Sequence, residues 1–232
     1  MLNRRIFILA SLASALLPAG ATAGMRAHKT LSWTDCEGEM KRLASAYADR
    51  TITQSAMAAR GVQLLQNLDA ADHEFQAAVQ ASYESGNRFW LWQRLTKERD
   101  INGGILNIEQ GQDVPLHDHP GATGMVRVLS GEVEVWQFDR VAVAPAVVAD
   151  GQAVLERVVH RVLHPGDMAI LSPGSGNIHA LRVRSQQCRM LDYFIPPYVR
   201  SERTWYQPVD SGWRDRVRIT CEGISENDFY MS

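Results

Sequence analysis

The stretch at residues 111–131 (GQDVPLHDHPGATGMVRVLSG) constrains this chain more than any other. Glycine stands at both ends, and two β-prone runs flank a turn rich in Pro and Gly. It therefore reads as a strand, a turn and a second strand. Side chains alternate faces along a strand, so His117 and His119 share one face and Asp118 takes the other. Two imidazoles on one face can share a metal ion if a third ligand arrives from elsewhere. The candidate is His179, in SPGSGNIHALRV at 172–183. Asp118, turned away, reads as structural.

The rest of the chain changes texture at Gly86. Beyond it, short β-prone runs lie at 105–108, through the HxH stretch, and at 125–129, 132–138, 153–163, 168–171 and 183–195. Phe89-Trp90-Leu91-Trp92 is aromatic and β-prone, and Gly103-Gly104 reads as punctuation. Ser130-Gly131 and Pro165-Gly166-Asp167 supply turns. Many short strands with Gly/Pro turns predict an all-β sandwich or barrel. Residues 141–151 (VAVAPAVVADG) read as a loop or edge insertion. The polar tail after Tyr198 reads as cover over the barrel or part of a subunit interface.

Before Gly86 the period is helical. Thr34 and Glu37 form a capping box ahead of Met40, Leu43, Ala44 and Tyr47. A second helix is expected at about 53–68, with Met57, Val62, Leu64 and Leu65 apolar. Asp72 caps a third, with Phe75, Ala78 and Val79 on one face. Three short helices make a small core, so they are expected to cover one side of a sheet.

Residues 1–23 read as a signal peptide. Arg4 and Arg5 precede an apolar run at 6–17, shorter than the about 20 residues a membrane span needs. Ala21-Thr22-Ala23 then fits a signal-peptidase site. Both a Sec and a twin-arginine signal fit, and an uncleaved anchor is the alternative. The expectation is a periplasmic or secreted protein, with a helical segment at 24–86, a β domain at 87–232 and no membrane contact after cleavage. A net charge of −2 offers no basic surface for nucleic acid. Cys36, Cys188 and Cys221 allow one disulfide and leave one thiol over. Cys36–Cys221 would tie the N-terminal segment to the tail, but the pairing stays open.

Two spacings are familiar. Gly111, five residues, His117-x-His119, then Gly131 resembles the first cupin motif. Gly166 through Pro173 to Gly176-Asn177-Ile178-His179 resembles the second, with one extra residue. With LDYFIPPY at 191–198 following in order, residues 105–206 resemble the thiol dioxygenases of the cysteamine dioxygenase and plant cysteine oxidase type. The resemblance implies a mainly β fold, the cupin double-stranded β-helix or jelly-roll barrel, with an N-terminal helical segment packed on it. Cupins usually carry a glutamate ligand where this chain has Gly124, so an iron(II) site of His117, His119 and His179 is implied. Asp192 and Tyr198 fall on the Asp and Tyr of the family's LD…PPY pattern. They are the candidate catalytic residues, the Asp for a substrate amine or a water, the Tyr for orienting substrate or oxygen. Tyr193 has the opposite parity to Asp192 and is not expected to share the pocket. Arg127, where relatives often have a basic residue, either meets a substrate carboxylate or faces outward. Cys188 either forms a thioether with a nearby tyrosine or is a buried or disulfide-bonded thiol.

Three neutral imidazoles leave a divalent ion with charge near +2, which favours an anionic thiolate. Iron(II) can give electron density to dioxygen and zinc cannot. The implied reaction converts a small aminothiol, a mercapto acid or an N-terminal cysteine to a sulfinate with both atoms of dioxygen. Two alternatives stand beside it, a non-catalytic metal- or ligand-binding cupin and a zinc enzyme. His160 and His164 also share a strand face, but they precede a turn and lack a third ligand. They read as surface or packing residues, as do His28 and His73. A homodimer through sheet edges fits cupins. An exported location departs from these relatives, which act inside cells, and leaves the thiol open.

Overall fold

The computed structural model describes residues 30–84, 91–142 and 151–231. The leader, Phe89-Trp90 and most of the 141–151 insertion lie outside the described residues. Helix α1 (Trp33–Ala48) begins earlier than the Thr34 capping box predicts. Its N-cap is Ser32, whose hydroxyl accepts the Asp35 N–H at 3.1 Å. Thr34 lies inside the helix and donates instead to Glu74 Oε2 of α3 (His73–Glu84) at 2.6 Å. Thr53 caps α2 (Gln54–Asn67), and Asp72 accepts the Phe75 N–H at the start of α3.

The strands are β1 (Leu91–Lys97), β2 (Asn102–Glu109), β3 (Asp113–His117), β4 (Thr123–Ser130), β5 (Val133–Val141), β6 (Gln152–Leu163), β7 (Met168–Leu171), β8 (Ile178–Val183), β9 (Gln187–Ile195), β10 (Thr204–Pro208) and β11 (Arg218–Ser225). A short helix, α4 (Glu226–Met231), follows. One sheet runs β1-β2-β9-β4-β7. The other runs β10-β11-β6-β5-β8-β3 and closes where Trp205 pairs with His117. Among the described residues, no helix is long and apolar enough to cross a membrane.

Alternation on β9 shows how the layers stack. Leu191, Tyr193 and Ile195 join Met40, Leu43, Met57, Leu65 and Phe75 of the helices in one apolar cluster. Cys188 and Met190, on the other face, join Val128 of β4, Val135 of β5 and Leu181 of β8. The helices therefore cover one face of the five-stranded sheet, and the second sheet covers its other face. A third cluster, with Leu116, Trp136, Tyr206, Trp213 and Ile219, fills the opposite side of the six-stranded sheet.

The tail differs from its sequence reading. Rather than lying over the barrel, it supplies β10 and β11, which pair with β3 and β6. Its polarity hid this, because β11 buries only one edge of its alternation, Ile219 and Cys221. Gly103-Gly104 is likewise no break but part of β2. A Cβ at Gly103 would stand 2.4 Å from Tyr193 Cε1, and one at Gly104 2.5 Å from the Gln93 carbonyl oxygen. These glycines let aromatic rings cross the strand. The run expected at 183–195 is two strands, β8 and β9, and β8 begins early enough to carry His179. The three cysteines are free, buried and in three separate clusters. Burial pushes each thiol up to about 12.

Because the Tyr193 ring is fully buried against Gly103, Gly103→Ala is expected to cost roughly 2 kcal/mol through overpacking. Urea unfolding should show a lower midpoint at an unchanged m-value. A variant as stable as the parent would show that the strand yields to the added methyl.

Candidate metal centre

The ladder between β3 and β8 places two of the three histidines. His117 is the last residue of β3 and pairs directly with His179 of β8. Gln137 of β5 flanks His179 on the other side. Cross-strand partners point the same way, so the two imidazoles meet, with ring centroids 4.4 Å apart. His119 is not on the strand. It sits in the following turn, where its carbonyl accepts the Ala122 N–H at 3.2 Å. Its ring nevertheless comes within 4.9 Å of His117 and 5.2 Å of His179. One ring nitrogen from each residue lies within 4.8 Å of the others, and all three residues are buried. Strand parity thus accounts for His117, whereas the turn delivers His119.

The hydrogen bonds fix two tautomers. His117 Nδ1 lies 2.8 Å from the Pro115 carbonyl, and His179 Nδ1 lies 3.1 Å from the Asn177 carbonyl. A carbonyl only accepts, so each Nδ1 carries the proton and each Nε2 keeps its lone pair. His119 Nδ1 is buried without a hydrogen-bond partner. Burial, reinforced by the neighbouring imidazoles and Arg203, holds His117 and His119 well below the usual histidine range. Burial pushes His179 down to about 4. All three are neutral at pH 7, the state that ligates a metal.

Three convergent neutral imidazoles with an orphaned buried nitrogen fit a divalent transition-metal ion. Among the described residues no carboxylate or thiolate joins the cluster. Gly124 shows why. A Cβ there would stand 3.0 Å from both Leu171 Cδ1 and Phe194 Cε1, so apolar side chains fill the space a ligand at 124 would cross.

The walls are aromatic. Phe194 and Tyr198 lie 4.4 and 4.3 Å from the His119 ring, and Trp205 lies 4.8 Å from His117. Asp192 is buried on the same face of β9 as Phe194 and accepts the Trp92 indole N–H at 2.6 Å. Burial, partly opposed by that bond, pushes its carboxyl up to about 7. Tyr193 points into the helix–sheet core. The Tyr198 hydroxyl accepts from Arg203, whose guanidinium lies over the Tyr198 and Trp205 rings and pairs with Glu226. Phe194, Arg203 and Trp205 carried no signal recognised in the sequence, because the last two lie in a tail read as peripheral.

Other candidates fall elsewhere. Arg127 neither meets the pocket nor faces outward. Its Nη1 donates to the Leu65 and Leu68 carbonyls at 2.6 and 3.0 Å, capping the end of α2. Asp118 accepts the Thr204 N–H at 2.8 Å and the Tyr206 hydroxyl at 3.1 Å. His160 and His164 pair with Glu134 and Glu132 away from the site, and His73 is exposed at the start of α3. Among the described residues, no tyrosine joins the cluster around Cys188.

Comparison with known proteins agrees with this geometry. Residues 54–213 match the PCO_ADO family. The chain belongs to that family. The chain is similar to a probable 2-aminoethanethiol dioxygenase of Dictyostelium discoideum, 30% identical over 125 residues, or 49% of this chain and 56% of that protein. The mouse 2-aminoethanethiol dioxygenase is 26% identical, covering 41% of this chain and 44% of that one. Plant cysteine oxidase 2 of Arabidopsis thaliana is 31% identical, covering 37% and 31%. The chain spans about half the length, or less, of these curated relatives. Among solved structures, a double-stranded β-helix protein of Klebsiella pneumoniae aligns at TM-score 0.37 and 19% identity over 48% of this chain and 81% of its own. The strand topology above, and not that slight likeness, carries the fold.

The depressed histidines predict a direction of pH dependence for the metal-free protein. His179 takes up a proton near 6.5 when unfolded but only near 4 when folded. Stability is therefore full above about pH 6.5 and is lost as pH falls toward 4, on the order of 3 kcal/mol from this residue. Asp192, raised by burial, acts in the opposite sense over the same window. The comparison that isolates the histidine is thus urea unfolding of the parent against His179→Gln at pH 7, 5.5 and 4.5. The variant should lose less on acidification, and equal losses would contradict the assignment.

Proposed function

We propose that the protein is an iron(II)-dependent dioxygenase that converts a thiol and dioxygen to a sulfinate. The carrying observation is the buried trio His117, His119 and His179, without a carboxylate, inside the PCO_ADO match. The balance closes without a further co-reactant, since both oxygen atoms enter the sulfur. Iron(II), when bound, supplies open coordination positions that gather the reactants and the electron density that activates dioxygen. The three neutral imidazoles leave the local charge positive, which favours a substrate entering as thiolate. Phe194, Ala122 and Leu171, with Tyr198 packed against them, form an apolar wall that excludes water. In this reading the Tyr198 ring, held by Arg203, orients the substrate against His119. Asp192 receives the amine of an aminothiol or an N-terminal cysteine. A buried carboxyl balanced near neutrality ionises readily beside an ammonium group.

Export belongs to the same proposal. The basic start, the short apolar run and Ala21-Thr22-Ala23 support it. Fractionation of the native cell, with sequencing of the mature N terminus at Gly24, tests it.

The deciding experiment is oxygen uptake by anaerobically iron-loaded protein. Cysteamine, cysteine, 3-mercaptopropionate and a peptide with N-terminal Cys are the thiols to offer. At least one should yield a product two oxygen atoms heavier, and His179→Ala should abolish both uptake and product. No uptake with any thiol, at stoichiometric iron, overturns the proposal. Asp192→Asn is expected to raise KM for the aminothiols roughly tenfold or more, the worth of a charge-assisted hydrogen bond. It should leave 3-mercaptopropionate, which has no amine, nearly unchanged. An equal effect on both would mean that Asp192 acts only through the fold.

A further inference from the structure

We infer that Asn177 is the positioning residue of the metal centre, clamping the backbone of one histidine and the ring of another. This rests on the metal reading above. His117 and His179 are set by the β3–β8 ladder, but β3 ends at His117 and no ladder bond reaches His119. What reaches it is the Asn177 side chain. The His119 N–H donates to Asn177 Oδ1 at 3.3 Å, and Asn177 Nδ2 donates to the His119 carbonyl at 3.0 Å. The two bonds close a ring, as a strand partner would. The amide orientation follows from chemistry, since a backbone N–H only donates and a carbonyl only accepts. The Asn177 main-chain carbonyl meanwhile accepts from His179 Nδ1 at 3.1 Å. One residue thus sets the position of the His119 backbone and the rotation of the His179 ring.

The requirement selects asparagine. The side chain must present an acceptor and a donor in one plane at short reach. Aspartate has no donor, and serine is too short to span both groups.

The arm that carries Asn177 is itself fixed to β5. Gln137 Nε2 donates to the carbonyls of Gly176 at 3.1 Å and Ile170 at 2.8 Å. Asp139 accepts from the Gly176 N–H and from Ser175 Oγ. Gly176 sits at φ +71, the left-handed region, with Gln137 Nε2 only 3.3 Å from where a Cβ would stand. From the opposite side the His119 turn is tied down through Asp118, on β10. His119 is therefore held between two anchors; the Asn177 anchor bonds both its N–H and its carbonyl, and the Ala122 N–H from within the turn shares that carbonyl.

The test is metal affinity and ligand field, not turnover alone. Iron(II), added anaerobically, and cobalt(II) would be titrated into the parent, Asn177→Ala, Asn177→Ser and His119→Ala. Asn177→Ala is expected to bind both ions about 10- to 100-fold more weakly. Its cobalt(II) visible bands should shift toward those of His119→Ala, while the metal-free protein stays folded at a somewhat lower unfolding midpoint. Asn177→Ser keeps a polar side chain at this half-buried position and should lose affinity in the same range, so the test survives if the alanine variant folds poorly. Parent-like affinity and bands in either folded variant would overturn the clamp and leave the metal reading intact. Failure of the parent itself to bind either ion would overturn the metal reading, and the clamp with it.

Discussion

The site depends on burying three uncharged imidazoles between two sheets. Burial makes the protonated form costly, so the rings stay neutral and their lone pairs stay available. Burial also requires that each polar nitrogen find a partner. For His117 and His179 the partner of Nδ1 is a backbone carbonyl two residues earlier in the chain. That local bond turns Nε2 toward the common centre. Neutrality, tautomer and orientation therefore follow from one circumstance, the depth of the site.

Depth in turn requires that the second sheet be complete. β3 is an outer strand of its sheet until β10 pairs with it, and the pairing falls at His117 itself. Trp205, the β10 partner, lies over the His117 ring and stacks on Phe229 at 3.9 Å. The C-terminal stretch thus shields the ligands from water, although it contributes none of them. A polar tail can do this because only alternate residues of a strand need be apolar. That is also why its strands were hidden in the sequence.

Sheet class, helical layer and ligand trio were legible because each has a periodic or spaced signature. The helices could be read from Met40, Leu43 and Phe75 at helical intervals, and the trio from HxH with a distant histidine. Signals that depend on a partner far along the chain were not legible. Thr34 loses its cap role to Ser32 because a neighbouring helix offers Glu74. Gly103-Gly104 looks like a turn until Tyr193 is laid across it. Arg127 looks like a substrate ligand or a surface residue until the end of α2 is placed beneath it. His119 kept its place in the trio for a different reason than parity, since the strand stops before it.

The helical segment is more than an attachment to the barrel. The family match begins at residue 54, the first residue of α2, so α2 and α3 lie within it and α1 before it. The physical link is β9. Its odd-numbered residues, Leu191, Tyr193 and Ile195, are locked into the helical core, while Asp192 and Phe194 take the opposite face, where Phe194 lies against His119. A slip of one residue would exchange the two sets. Packing on the helices therefore fixes which β9 side chains line the pocket. Gln54 strengthens the link by donating to Thr123 Oγ1 at 2.8 Å, at the start of the neighbouring strand. The helices hold the register of the wall, the C-terminal strands close it, and the β3–β8 ladder presents two ligands within it. Each layer constrains the site from a different side, which is how a trio drawn from a strand end, a turn and a second strand can be held to one point.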